Sequence, residues 1–262
     1  VELTLVITLL LAVLVGVSLG LLGGGGSILT VPILSYVLGM EPRAAIASSL
    51  FIVGVTSVVS VLSHAKARRV RWKMGLIFGV AGMVGAFGGG LVGGLIPGGV
   101  LMVLFAAMMV ATATAMIRGR KQASTPEGEH RSPPLVRIIL DGFLVGLATG
   151  LVGAGGGFLI VPALNLLGGL PMAVAVGTSL LVIAMKSFAG LSGYLFSVQL
   201  DWPIVIGFTA AAVAGSFVGT KLAGMVPERS LRKGFGYFVL AMGMFVLVQE
   251  VPPLLASLRL DM

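Results

Sequence analysis

The amino-acid sequence predicts an all-α polytopic membrane protein made of two inverted-topology repeats of five hydrophobic segments each, with glycine-rich breaks and short helices near the membrane midplane. Three observations predict it: the composition, a duplication at a fixed offset, and the placement of the cations. Of 262 residues, 57% are hydrophobic and only 10% are charged, with a mean hydropathy of +1.12. Those values lie far outside the range of a soluble domain. Apolar runs recur from Leu3 through Leu247, so a single N-terminal signal segment does not account for them. Position 1 is Val rather than Met, as expected of a trimmed or incomplete chain.

In chain order the apolar segments fall at Leu3–Leu22, Ile28–Leu38, Ala44–Ser63, Met74–Ile96 and Val100–Ile117. A polar linker, "RGRKQASTPEGEHRSPP", occupies Arg118–Pro134, and the pattern resumes at Leu135–Val152, Phe158–Leu167, Met172–Ser197, Ile204–Met225 and Leu231–Val248. The organisation is therefore an N-terminal repeat over 1–117, a linker over 118–134 and a C-terminal repeat over 135–262. A helix needs about 20 residues to cross the hydrocarbon core. Eight of the ten segments are long enough, and the two short ones each follow a glycine cluster.

The halves align without a gap at an offset of 130 residues. "GLLGGGGSILTVPIL", Gly20–Leu34, falls on "GLVGAGGGFLIVPAL", Gly150–Leu164; Ser49 and Leu50 fall on Ser179 and Leu180, Trp72 on Trp202, Phe87 on Phe217 and Pro97 on Pro227. About a quarter of the positions from Gly20 to Met116 match. Chance similarity among apolar helices matches Leu and Val, but not Trp, Pro and glycine clusters in one register.

Charge separates the halves. The segment from His64 to Lys73 carries Lys66, Arg68, Arg69, Arg71 and Lys73, whereas its counterpart, Tyr194–Pro203, has no Lys or Arg. The bias reverses at Pro97–Val103, which has no cation, against Pro227–Lys233, which holds Arg229, Arg232 and Lys233. If Lys and Arg mark the cytoplasmic side, equivalent loops lie on opposite faces of the membrane. The linker, with Arg118, Arg120, Lys121 and Arg131, is then cytoplasmic and both termini lie outside. Trp72 and Trp202, at span edges, read as interfacial anchors.

Non-helical backbone at membrane depth is tolerated where it is buried in protein or lines a polar cavity. Each glycine break is followed by a short helix, whose first turn has unpaired N–H groups and a partial positive charge. Two such N-termini facing each other would make an anion site from Gly24, Gly25, Gly26 and Ser27 in the first half and Ala154, Gly155, Gly156 and Gly157 in the second. The alternative is that the glycines serve close helix packing, which is the reading for "AFGGGLVGG", Ala86–Gly94. Lys186 lies in the middle of its span, too far from either end to snorkel, and a buried intramembrane cation is a functional candidate. Thr178 and Ser179, two turns before it, share its face, and Ser48 and Ser49 are their equivalents. These hydroxyls and the ammonium are the remaining substrate-binding candidates. Asp141 is a candidate proton carrier and also the candidate structural partner of Lys186. Asn165 either lines the cavity or caps a break, and Lys221, near a helix end, snorkels.

Several classes are set aside. With no cysteine there is no disulfide framework or thiolate metal site, and His64 and His130, in or beside polar loops, do not make a metal centre. No cofactor is expected. The net charge of +8 is confined to short bursts between apolar runs, as membrane topology requires, so nucleic acid is not an expected partner. No ordered nucleophile–base set or paired catalytic carboxylates stand in the sequence, which argues against an enzyme. An anion channel, and a membrane scaffold without flux of its own, remain alternatives.

The paired glycine–proline motifs, each followed by a Ser/Thr-Ser-Leu step ("SSL", "TSL"), with a basic central linker in a chain of this length, resemble the TauE/SafE sulfite exporter family of bacterial and archaeal membrane proteins. The resemblance covers nearly the whole chain. It implies a secondary transporter, an exporter of a small sulfur-containing oxyanion such as sulfite or an organosulfonate like sulfoacetate, in the plasma membrane. The lipid bilayer is the other expected partner, and a second copy in a homodimer is a candidate. A carrier of a non-sulfur organic anion is the alternative within that class.

Overall fold

The computed structural model describes residues 2–40, 42–93, 98–118, 134–152, 157–194 and 199–260, and these form helices with no strand among them. The first half contains α1 (Glu2–Leu22), α2 (Gly25–Pro32), α3 (Pro42–Lys66), α4 (Trp72–Gly93) and α5 (Gly98–Arg118). The second contains α6 (Leu135–Val152), α7 (Gly157–Pro162), α8 (Met172–Tyr194), α9 (Trp202–Ala223) and α10 (Glu228–Leu260). The short helices α2 and α7 both end on a proline and pass into a wider π-turn, Ile33–Val37 and Ala163–Leu167. Even the bonds that close these turns recur at the repeat offset. Leu38 N–H donates to Ile33 O and Met40 N–H to Leu34 O, as Gly168 donates to Ala163 O and Leu170 to Leu164 O. Gly39 and Gly169 both take positive φ, 64° and 69°, where a side chain would be strained.

Backbone contacts set the helix directions. α1 lies along α9, with Gly16 against Ala212 and Gly20 against Ser216, so the two run parallel. α6 lies along α4 in the same way, Gly142 against Phe78 and Gly146 against Gly82. Glycine allows this approach: a Cβ at Gly142 would stand 2.8 Å from the Phe78 carbonyl oxygen, and one at Gly16 or Gly146 would fall onto the backbone of Ala212 or Gly82. The central pairs are antiparallel instead. In α3 and α8, Gly54 meets Phe188 and His64 meets Gly177; in α5 and α10, Ile117 meets Gly236 and Met109 meets Gly243. Each half's first helix therefore packs on the other half's fourth, third on third and fifth on fifth.

These directions bring several segments to one end of the bundle. There Arg71 N–H donates to Thr178 Oγ1, Met172 N–H donates to the Glu228 carboxylate, and the Arg69 guanidinium lies beside Gly224. The cations of 66–73, of Arg118 and of 229–233 thus gather at the same end. Trp72 is at this end and Trp202 at the other, where its ring meets Phe51 edge-on at 5.4 Å.

The outer surface is apolar, with Leu10 and Leu14 on α1, Val84 and Phe87 on α4, and Ile206 and Phe217 on α9 exposed. Buried hydroxyls and histidine lie inside, together with Phe78, Phe208 and Phe235. An apolar exterior of this kind suits lipid. Among the described residues four helices are long and apolar enough to cross a membrane: Ala44–Lys66, Met172–Ser192, Trp202–Ala223 and Glu228–Gln249. The sequence reading expected eight full spans. Each of those eight segments corresponds to one continuous helix, α1, α4, α5 and α6 being 21, 22, 21 and 18 residues long.

Candidate functional site

The two hairpins that bear the short helices meet. Ser27 and Gly157 occupy equivalent places, and a Cβ at Gly157 would lie 2.7 Å from Ser27 Oγ and 3.4 Å from Gly24 Cα. Their starts are thus within contact of each other, where the unpaired N–H groups of first helical turns lie. Gly23 makes the turn into α2 with φ 69°, and its Cα faces Ser179 Oγ. Gly24 precedes α2 with no side-chain cap, and Ser27 Oγ donates to Gly24 O at 2.7 Å, leaving the first amides without a side-chain acceptor. Gly26 packs against Val15 and Leu19 of α1, which makes α1 and α2 a tight hairpin. Ala154, Gly155 and Gly156, the other half of the predicted cluster, lie outside the described residues.

Beside this junction Ile183 of α8 touches Gly157, and one turn further on Lys186 Nζ donates to Thr149 Oγ1 at 2.8 Å. Thr149 is buried near the end of α6 and itself bonds back to Gly146 O. Lys186 is not the partner of Asp141. Asp141 sits two turns before Thr149 and pairs with Arg137 of its own helix, Nε to Oδ2 3.8 Å, as a loose pair on a partly exposed face. The ammonium thus faces a neutral hydroxyl, which accepts one of its three hydrogens and leaves capacity for an anion.

The four predicted hydroxyls do not converge on one point. In the antiparallel α3–α8 pair, Ser48 and Ser49 lie toward one end and Thr178 and Ser179 toward the other, about 20 Å apart along the axis. Thr178 Oγ1 accepts from Arg71 N–H, Ser179 Oγ donates to Val176 O, and Ser48 Oγ is buried with no partner. They flank the Lys186 level rather than surround it. Asn165 caps its break, donating to Leu170 O at 2.8 Å.

Sequence reasoning passed over Thr149, Thr56, Ser57, Ser60 and His64. His64 stands beside the basic loop rather than in it: it is in the last turn of α3, fully buried, with Nε2 3.0 Å from Gly20 O. The signal was present as spacing, since Thr56, Ser57, Ser60 and His64 share one helical face. Among the described residues no group of three or more His, Cys, Asp or Glu could hold a metal ion.

The comparisons with known proteins agree with a transporter. The family described as "Sulfite exporter TauE/SafE" matches residues 8–246. A "probable membrane transporter protein" of Xylella fastidiosa (strain Temecula1) is 36% identical over 259 residues, covering 97% of this chain and 98% of that protein. A protein of the same description from Methanocaldococcus jannaschii is 29% identical over 94% of this chain and 98% of its own length. One from Bacillus subtilis is 28% identical over 87% of this chain and 90% of its own. No solved structure matches. A polytopic helical chain with this duplicated glycine–proline architecture, matched nearly end to end, belongs to the TauE/SafE sulfite exporter family.

Proposed function

We propose that this protein is a secondary transporter that exports a small sulfur-containing oxyanion, sulfite or an organosulfonate such as sulfoacetate, by alternating access between two inverted repeats. The observation that carries the reading is the Lys186–Thr149 hydrogen bond beside the junction of Ser27 and Gly157. A cation within an apolar span, next to two converging helix starts, offers an anion both charge and N–H donors. The antiparallel course of α3 against α8 and of α5 against α10 supports the inverted plan, because equivalent helices then cross the membrane in opposite directions.

The substrate-binding groups are the amides of Gly24 to Ser27 and of Ala154 to Gly157, and the Lys186 ammonium. Ser48, Ser49, Thr178 and Ser179 line the approaches on either side. The basic end of the bundle faces the cytoplasm of a bacterial or archaeal cell and both termini face outward, in keeping with the distribution of Lys and Arg. An inside-negative potential favours outward movement of an anion by about 2.3 kcal/mol per charge per 100 mV, so export proceeds without a coupling ion. Asp141 is the group that would carry protons if the same anion were taken up. A homodimer is the proposed assembly.

The test is thermal stability of the detergent-purified protein against sulfite, thiosulfate, sulfoacetate, taurine, sulfate, lactate and chloride, with Lys186→Ala beside it. A ligand of the folded state raises the melting temperature with concentration. A rise with one sulfur oxyanion that disappears in Lys186→Ala supports both substrate class and site. No response to any anion, or an equal response in the variant, rejects the site.

A further inference from the structure

Hydroxyls inside the apolar helices generally fold back onto their own backbone: Thr30 donates to Gly26 O, Thr149 to Gly146 O, Thr209 to Val205 O and Ser216 to Val213 O. Three on α3 do not. Thr56, Ser57 and Ser60 are fully buried, and none of their Oγ atoms has a partner. At 3.6 residues per turn they fall with His64 within an arc of roughly 100°, turned away from the exposed Val58 and Leu62.

His64 sets the chemistry at the end of this row. A carbonyl only accepts, so the contact of Nε2 with Gly20 O places the hydrogen on Nε2. In the neutral ring Nδ1 is then a bare acceptor, and it is buried without a donor. The α3–α8 register sets Thr56 level with Lys186 and His64 level with Gly177, so the row runs about 12 Å from the Lys186 level to the basic end.

Buried polar groups without a protein partner are costly unless something else satisfies them, and four on one helix face call for a common occupant. The hydroxyls can donate to anionic oxygens, while Nδ1 needs a donor. A sulfonate has no hydrogen to offer Nδ1, whereas a singly protonated oxyanion has both acceptor oxygens and an O–H. We propose that the Thr56–His64 face of α3 is a second anion subsite, between Lys186 and the basic end, which selects singly protonated oxyanions over sulfonates. It rests on the transporter reading above and deepens it by assigning the cargo's protonation state.

The test uses the full chain in liposomes loaded with sulfite or methanesulfonate, at a mildly acidic pH where sulfite is chiefly hydrogensulfite. In His64→Gln the amide N–H replaces the donor to Gly20 O, and the remaining acceptor, Oε1, no longer stands where Nδ1 did. That variant is expected to slow sulfite efflux tenfold or more and leave methanesulfonate efflux unchanged, whereas Thr56→Val/Ser60→Ala slows both. Ser57→Ala, with the smallest change in volume, serves if the double variant does not fold. Efflux of both anions at the native rate in the α3 variants, with loss in Lys186→Ala, overturns the subsite alone; it means that the row is dry or holds only water. No efflux of either anion from the native protein overturns the transporter reading and the subsite with it.

Discussion

Lys186 of α8 donates to Thr149 of α6 across 2.8 Å, and the position equivalent to Lys186 in the first half, Thr56, stands level with it on α3. A charge placed on only one of two equivalent positions makes the centre of a duplicated fold electrostatically one-sided. Removing it by Lys186→Met is expected to weaken binding of the stabilising anion by tenfold to a hundredfold, in line with about 1.5–3 kcal/mol for a charged hydrogen bond. Thr149→Val, which leaves the charge and removes its acceptor, is expected to cost less. Melting-temperature titrations of both variants measure this, and equal anion affinity in all three proteins contradicts it.

Close backbone approach of α1 to α9 and of α4 to α6 makes particular glycines intolerant of a side chain. Gly16→Val and Gly146→Val are each expected to destabilise the protein by about 1–3 kcal/mol or more through overpacking. Gly207, with nothing within 4 Å of where its Cβ would stand, is the control, and Gly207→Ala is expected to be neutral or slightly stabilising. Melting temperatures and size-exclusion profiles in detergent distinguish them; a Gly16→Val protein as stable as Gly207→Ala would contradict the helix packing.

The absence of cysteine makes sidedness directly measurable, since each introduced thiol is unique. Ala67→Cys and Arg229→Cys, at the basic end, are expected to react with a membrane-impermeant maleimide only from the cytoplasmic side, and Gln199→Cys only from outside. Positions 67 and 199 are near-equivalents in the two repeats. Labelling of both from the same side would refute the inverted arrangement.

Asp141 has a weak partner in Arg137 and stands apart from Lys186. Potential-driven efflux is therefore expected to be unchanged in Asp141→Asn, and stability to change by less than about 0.5 kcal/mol, as for an exposed i,i+4 pair. A flux that loses its pH dependence in this variant would instead assign Asp141 the proton role.

At the start of α9 the Asp201 carboxylate accepts the Ile204 N–H at 3.4 Å, and Pro203 needs no partner of its own. Asp201→Ala is expected to cost about 0.5–1 kcal/mol, with the long bond placing it at the low end of the range for helix caps. Thermal melting checks it, and an unchanged melting temperature would mean that water satisfies this amide equally well.

The segment order and both short helices were legible in the sequence because hydropathy and the proline at the end of each short helix are local signals. Pro32 and Pro162 mark equivalent breaks, and the structure turns the chain at both. The site was only partly legible. Lys186 announced itself, since a lone cation mid-span has no local explanation, but its partner did not: Asp141 was the obvious carboxylate and Thr149 an unremarkable hydroxyl. Ser48 and Thr178 share a sequence motif, and that kinship says nothing of distance when equivalent helices run antiparallel. His64 was set aside because it adjoins a basic loop, yet the α1 backbone at Gly20 reaches it.

The sequence by itself determined the solvent, the duplication and the distribution of cations between loops, because each depends on composition or on spacing along one chain. Tertiary structure alone decided which helices pack on which, that Ser27 meets Gly157, that Lys186 turns to Thr149, and that the α3 hydroxyls of Ser48, Thr56, Ser57 and Ser60 are buried without partners. Those outcomes depend on the approach of backbones at Gly16, Gly142 and Gly146, where the absence of a side chain sets the distance between helices and hence which polar groups come within reach of one another.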